Sequence, residues 1–375
     1  MLRLNTFSGI FTLRRQQRES ILSQSENDIL LLKGHEIESL LSGREREIIR
    51  AVRTAYETHS QGDSSIPHSI FLRFPDQPQN RIIALPAYLG GERGTAGIKW
   101  VSSFPGNLAN DLDRASAVMI LNSTATGRPQ AIIEGSLISA KRTAASAALA
   151  AHYLLDGKEP AELGLVGCGV INFEIVRFIL AMQPDIRRLV LFDLNGKRAR
   201  HFEGQSLDMR PELEIEVVGS VHELFGKASL ISIATSAIKP HIFDLSTCAQ
   251  GATILHISLR DLSPDLILCA DNVVDDIAHV NREQTSIHLA SQLTGDQNFI
   301  RCTLADILLG RAAARRDSES IAIFSPFGLG VLDISVGKLV CELGVRLGVG
   351  TIIKSFVPDS WTAKSQAGQS SIAVP

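Results

Sequence analysis

An α/β protein in two parts is what this sequence predicts, and three observations predict it. From about residue 160, short apolar runs alternate with segments of helical periodicity, as in a parallel sheet covered on both faces. A glycine-rich turn, Gly167-Cys168-Gly169-Val170-Ile171-Asn172, separates the first of those runs from the helix after it. The residues before position 150 hold amphipathic helices and extended, turn-rich pieces instead, the pattern of an α+β domain. A chain of 375 residues suits two domains at about 100–200 residues each.

Taken in order, residues 44–62 are an amphipathic helix with Ile48, Ile49, Val52, Ala55 and Tyr56 on one side. Extended pieces follow at 69–75, 81–91, 97–107 and 116–122. Residues 140–155 are rich in Ala, the best helix former, whose small side chains let neighbours approach closely. This helix leads into the second domain. Strands are expected there at 163–167, 189–193, 214–219, 230–235 and 252–259, with a weaker one at 272–276. Ile175, Ile179 and Met182 recur at helical spacing over 171–182 until Pro184 stops the helix. After the apolar run 321–328, residues 334–348 form a further helix, expected to pack back on the first domain. The domains are thus 1–145, completed by 326–375, and 146–325. The last dozen residues are polar and expected to fray.

Composition excludes several function classes. Lys and Arg number 37 against 40 Asp and Glu, a net charge of −3, so no basic excess exists to neutralise a nucleic-acid backbone. No apolar stretch reaches the ~20 residues of a membrane span. At the N-terminus the apolar patch precedes Arg14, Arg15 and Arg18, the reverse of a secretory signal. Five cysteines are scattered and never in C-x-x-C spacing. That speaks against a disulfide framework or a metal site and for a reducing, cytoplasmic compartment.

The glycine-rich turn has the strand–turn–helix context of a dinucleotide fingerprint, and so predicts a Rossmann-type domain. Gly167 permits the tight turn and Gly169 lets the backbone approach a pyrophosphate, with Val170 and Ile171 opening the helix whose free N–H groups would bind it. Asn172 stands where the third glycine is usual, a departure expected to loosen the packing of helix on strand. Asp193 ends the next strand about twenty residues on, where its carboxylate can accept from a ribose hydroxyl. It favours NAD over NADP; Lys197 and Arg198, just behind it, are read as solvated charge. Thr235 and Ser236, after the strand 230–235, are placed to meet the nicotinamide ribose, although turn chemistry alone would also put them there.

Three cations occupy unusual settings: Lys99 in an apolar strand, Arg142 at the head of the Ala-rich helix, and Arg73 in Phe-Leu-Arg-Phe. A cation so placed is either paired or directed at a bound anion, and together they suggest a pocket for carboxylates. Asp261, in the segment 256–264, is a candidate general acid or base with Arg260 beside it; an N-cap or turn role before Pro264 fits it equally. No motif places His256 or His68, and both are read as structural.

Together these segments resemble one family. Residues 97–107 with Lys99, the Lys-Arg-Thr-Ala-Ala run with Arg142, residues 163–175, 256–261 with Asp261, and 325–335 with Asp333 are similar to the ornithine cyclodeaminase/μ-crystallin family from about residue 44 to 350. The segments 67–75, 81–91, 104–107, 171–175 and 256–261 resemble most its members that form 2,3-diaminopropionate for siderophore biosynthesis. The resemblance implies a homodimer in which the first domain and the tail build both the substrate pocket and the dimer interface. It implies that Lys99 and Arg142 are pocket residues, with Lys99 also catalytic, that Thr143 is a cofactor contact, and that Asp261 is the acid/base. Where the family often has Pro-Pro-Arg, Pro67-His68 lacks an immediate Arg, and Arg73 is the substitute.

The activity implied is NAD-dependent oxidation of N-(2-amino-2-carboxyethyl)-L-glutamate, with hydrolysis to L-2,3-diaminopropionate and 2-oxoglutarate. Ornithine cyclodeamination and a non-catalytic, crystallin-like dinucleotide binder are the alternatives.

Overall fold

The structure, a computed structural model, describes residues 25–91 and 94–361. The N-terminal patch with its arginines and the polar end expected to fray lie outside them. Two compact units result. One comprises Ser69–Ile138 with the described parts of Met1–Ser42 and Ile334–Pro375; the other comprises Gly43–His68 and Ser139–Asp333.

The second unit is built on an eight-stranded sheet in the order Glu214–Val217, Arg188–Phe192, Glu162–Val166, Leu230–Ile233, Thr253–His256, Ala322–Ser325, Asp271–Val274, Ile300–Thr303. Every pairing in it is parallel. Strands buried on both faces read as unbroken apolar runs, and Val166, Val190, Ile231, Ile233, Ile254 and Ile323 indeed share one core. The chain order reverses between Glu162–Val166 and Leu230–Ile233, the switch point at which such sheets open a crevice for ligands. Ile300–Thr303, a four-residue edge strand, has no counterpart among the expected elements.

The helix Glu45–Ser60 belongs to this unit, not to the first domain where its position in the chain had suggested it. Its buried face includes Tyr56, whose hydroxyl hydrogen-bonds Ser146 Oγ at 2.7 Å. Arg53 Nη1 donates to the Tyr153 hydroxyl at 2.9 Å, and Arg46 Nε and Nη2 donate to the Ala181 carbonyl. The Ala-rich helix runs Ser136–Leu154. Ala144, Ala145, Ala147, Ala148, Ala150 and Ala151 are all buried in it, which is the close packing their size permits.

In the first unit, Ile70–Phe74, Gln77–Leu89, Thr95–Ser103, Ala115–Asn122 and Pro129–Glu134 form an antiparallel meander. Ile29–Leu32 joins it in parallel and Thr351–Ile353 closes it antiparallel. The last helix, Gly330–Leu347, packs back on this sheet as expected: a Cβ on Gly337 would lie 2.9 Å from Met119 Cε. Strand alternation then sorts the side chains. Lys99 lies opposite Leu85 and Met119 on the face with buried Leu121 and Ile133. Ile70, Ala84, Trp100 and Val118 lie opposite one another on the other face.

Candidate active site

The glycine turn caps the central strand Glu162–Val166. Gly167 has φ +92°, and a Cβ there would meet the Ala234 carbonyl oxygen at 2.6 Å, so only glycine fits. Gly169 is the N-cap of the helix Val170–Met182, and no side chain caps that end. A Cβ on Gly169 would meet nothing within 4 Å. An uncapped, open N-terminus at the switch point is what a diphosphate needs, so the residues present fit a dinucleotide. Val170 is exposed and Ile171 half-buried at this end.

Asp193 serves the turn directly. Its Oδ2 accepts the Cys168 N–H and its Oδ1 the Asn195 N–H, both at 2.8 Å. Each carboxylate oxygen has a second lone pair, so a ribose hydroxyl remains within its chemistry. Burial, and then the Asp193 charge, push the Cys168 thiol up to about 12, so it is an inert filler of the turn.

Asn172 departs from the expectation. It is fully buried; Nδ2 donates to the Val166 and Gly167 carbonyls at 3.0 and 2.6 Å, and Oδ1 accepts from Ser232 Oγ at 2.7 Å. The amide therefore ties helix to strand from beneath the turn, where looser packing was expected. Lys197 and Arg198 offer their backbone N–H groups to the cap residue Asn195.

Asp261 is the centre of a second cluster. Its side chain is wholly buried. Oδ1 accepts from Thr235 Oγ1 and lies 3.1 Å from His241 Nε2; Oδ2 accepts from Ser258 Oγ and lies 3.3 Å from His256 Nε2. Burial alone would raise its pKa, but the neighbouring His256 ring and the hydrogen bonds from Ser258 and Thr235 outweigh that and hold the carboxyl far below its usual range. His256, expected to be structural, is buried at the end of a central strand. Its Nε2 accepts the Asp261 N–H at 3.2 Å, and its Nδ1 lies 3.4 Å from Ser325 Oγ. Thr235 thus spends its hydroxyl on Asp261, while Ser236 is exposed beside it. Arg260 points elsewhere, donating from Nε and Nη2 to the Glu283 carbonyl.

Arg142 is buried, and its Nε donates to Asp333 Oδ1 at 2.9 Å. Asp333, at the start of the last helix, is therefore the partner the sequence reading did not give it. Gly328 makes room for the guanidinium: its φ is +92°, and a Cβ there would lie 2.7 Å from Nη1. The adjoining backbone is fixed by Asp275, which accepts the N–H groups of Phe327 and Gly328. Thr143 Oγ1 donates to the Ser139 carbonyl one turn back at 2.7 Å. His68 is exposed, its ring nearly perpendicular to that of His279.

In the first unit Lys99 is 2% exposed. Arg73 is exposed, opposite Arg81 on the same sheet face as Lys99, with its guanidinium 5.3 Å from the Phe71 ring centre. The buried setting expected for Arg73 does not exist. His241 and Gly328 are the residues sequence reasoning missed. Gly328 carries a signal, a glycine following Ser-Pro-Phe; His241 carries none.

The profile of the ornithine cyclodeaminase/mu-crystallin family matches residues 27–345. N-((2S)-2-amino-2-carboxyethyl)-L-glutamate dehydrogenase of Staphylococcus aureus is 28% identical over 337 residues, covering 88% of this chain and 99% of that protein. Alanine dehydrogenase of Archaeoglobus fulgidus is also 28% identical, with the same coverage of each chain. Among solved structures, Thermococcus litoralis Δ(1)-pyrroline-2-carboxylate reductase in complex with NADH and L-proline superimposes with a TM-score of 0.80 at 27% identity. That match covers 86% of this chain and 99% of the other. An archaeal alanine dehydrogenase dimer with bound NAD gives a TM-score of 0.77 at 27% identity, over 87% and 99% of the two chains. The chain belongs to the ornithine cyclodeaminase/mu-crystallin family.

Proposed function

We propose that this protein is an NAD-dependent dehydrogenase of N-(2-amino-2-carboxyethyl)-L-glutamate, releasing L-2,3-diaminopropionate and 2-oxoglutarate. The observation that carries the redox reading is the open, uncapped glycine turn at the sheet's switch point, a few strands from a buried carboxylate held by Thr235, His241 and Ser258. Likeness to the Staphylococcus aureus dehydrogenase over 99% of that protein's length supports the substrate. Bound NAD supplies the hydride acceptor.

The chain's own residues do the rest. Gly167 and Gly169, with the N–H groups of Val170 and Ile171, hold the diphosphate, and Asn172 holds the turn in place for it. Asp193 accepts from the adenosine ribose, while Thr143 and Ser236 contact the cofactor. Arg73, Lys99 and Arg142 bind the substrate's carboxylates; Nε of Arg142 is spent on Asp333, which leaves the Nη fork for a bidentate contact. Lys99, buried on its strand, orients the amine being oxidised. Asp261 is the carboxylate of the acid–base centre through which water adds to the imine carbon and the product amine is expelled.

A homodimer is part of the proposal. Ile70, Leu72, Trp100 and Val118 expose an apolar sheet face, and a second copy of that face would cover it.

Incubation of the protein with NAD and synthetic aminocarboxyethyl-glutamate, following NADH and 2-oxoglutarate together, tests the substrate. The two products are expected to rise one for one. If ornithine instead yields proline and ammonia with no net NADH, the enzyme is a cyclodeaminase. Tight dinucleotide binding without turnover of any amino-acid conjugate would make it a binding protein.

A further inference from the structure

A buried carboxylate that already accepts hydrogen bonds from three side chains is poorly suited to carry protons. Asp261 has no exposed surface, its two oxygens face Thr235, His241, Ser258 and His256, and hydrogen bonds from Thr235, His241 and Ser258 stabilise the anion. A group that exchanges protons with substrate and water must reach them. Two imidazoles touch Asp261, and they differ in this respect. The His256 side chain is wholly buried and turned to Ser325, whereas that of His241 is 42% exposed.

The backbone fixes the exposed pair. The N–H groups of His241 and Ile242 both donate to the Asp261 carbonyl at 2.9 Å, and Ile242 bridges Leu262. An ionised carboxylate only accepts, so the His241 nitrogen facing it, Nε2, carries the hydrogen and Nδ1 keeps its lone pair. This is the logic of a base whose ring is oriented by a buried acid.

We propose that His241 is the proton-transferring catalytic residue and that Asp261 is a positioning residue acting through it. The inference rests on the reading of the protein as an amine dehydrogenase. In that reaction, as water forms its C–O bond to the imine carbon, His241 Nδ1 takes one of the water's protons. It returns that proton to the amine nitrogen as the C–N bond breaks. The carbinol hydroxyl proton leaves through the same ring to solvent as the C=O bond forms. His256 lies behind Asp261, Lys239 is exposed two residues before His241, and Arg260 is turned to the Glu283 carbonyl.

The test compares His241→Gln, His241→Ala and Asp261→Asn with the wild type in kcat against pH, NAD affinity and melting temperature. His241→Gln is expected to lose about 100-fold or more in kcat, with NAD affinity and melting temperature unchanged and the acid limb of the pH profile gone. Added imidazole is expected to restore part of the activity of His241→Ala. A His241→Gln enzyme with wild-type kcat and pH profile overturns the proposal.

Failure of the wild type to oxidise the conjugate would overturn the substrate reading alone. The ring itself then decides, in 15N spectra of histidine-labelled protein with His241 assigned from its loss in His241→Gln. A hydrogen on Nε2 that depends on Asp261 supports the pair; a hydrogen on Nδ1 overturns it.

Discussion

At Gly328 the missing side chain sets where the Arg142 guanidinium rests. Substitution by Ala puts a Cβ 2.7 Å from Nη1 and forces a side chain into φ +92°, a strain of about 1–3 kcal/mol. Gly328→Ala is therefore expected to raise KM for a carboxylate substrate about 10-fold or more, measured by steady-state kinetics, because the guanidinium must shift. Asn172 makes the opposite case, a residue whose side chain is indispensable. Asn172→Gly restores the usual fingerprint yet loses three hydrogen bonds, and should cost about 3 kcal/mol in urea unfolding at roughly 1 kcal/mol each. Asp261 adds a pH signature. Its folded-state pKa is depressed, so its contribution to stability is complete above the ordinary carboxylate value of about 3.9. That contribution disappears only as pH falls through the lower, folded value. The stability lost in Asp261→Asn should accordingly be full at pH 7, persist to pH 5 and shrink in stronger acid. Such residue-scale features were partly legible: the glycines and Asp193 announce themselves by spacing. Asn172 was misread because sequence shows a missing glycine, not the carbonyls and Ser232 hydroxyl waiting for an amide.

Elements were legible where their burial is two-sided or their periodicity long. The strands Glu162–Val166, Arg188–Phe192, Leu230–Ile233 and Thr253–His256 are mostly apolar, and each lies inside the sheet. Ile300–Thr303, just as short, escaped because Arg301 and Thr303 break its apolar run at the sheet edge, and Ile29–Leu32 because a short apolar run outside the strand–helix alternation does not separate strand from helix. The helix Glu45–Ser60 shows a different limit: a 3.6-residue repeat reveals that a face is buried but not which unit buries it. Its partners Ser146 and Tyr153 lie about a hundred residues along the chain. Tyr56→Phe should test that attachment. Loss of the buried hydroxyl contact with Ser146 is expected to destabilise the fold by about 1 kcal/mol, read as a lower urea midpoint at unchanged slope.

For the whole molecule, the expectation of a parallel-sheet unit and an α+β unit agrees with the structure and with the family's solved members. The apolar sheet face of the first unit was not distinguishable from core by composition, since both faces of those strands carry apolar side chains. Register separates them: Lys99 and Met119 on one side, Trp100 and Val118 on the other. Trp100→Glu together with Val118→Glu should convert a dimer to a monomer of about half the mass in light scattering; an unchanged mass would place the interface elsewhere. The claim beneath all of these is that the turn at Gly167–Asn172 receives the diphosphate of NAD. Calorimetric titration of NAD into wild type and Gly169→Ala tests it most directly, because the added Cβ meets no protein atom within 4 Å. The account predicts an unchanged melting temperature and an affinity at least about 10-fold weaker, or about 1.4 kcal/mol. Equal affinity in the two proteins would contradict it.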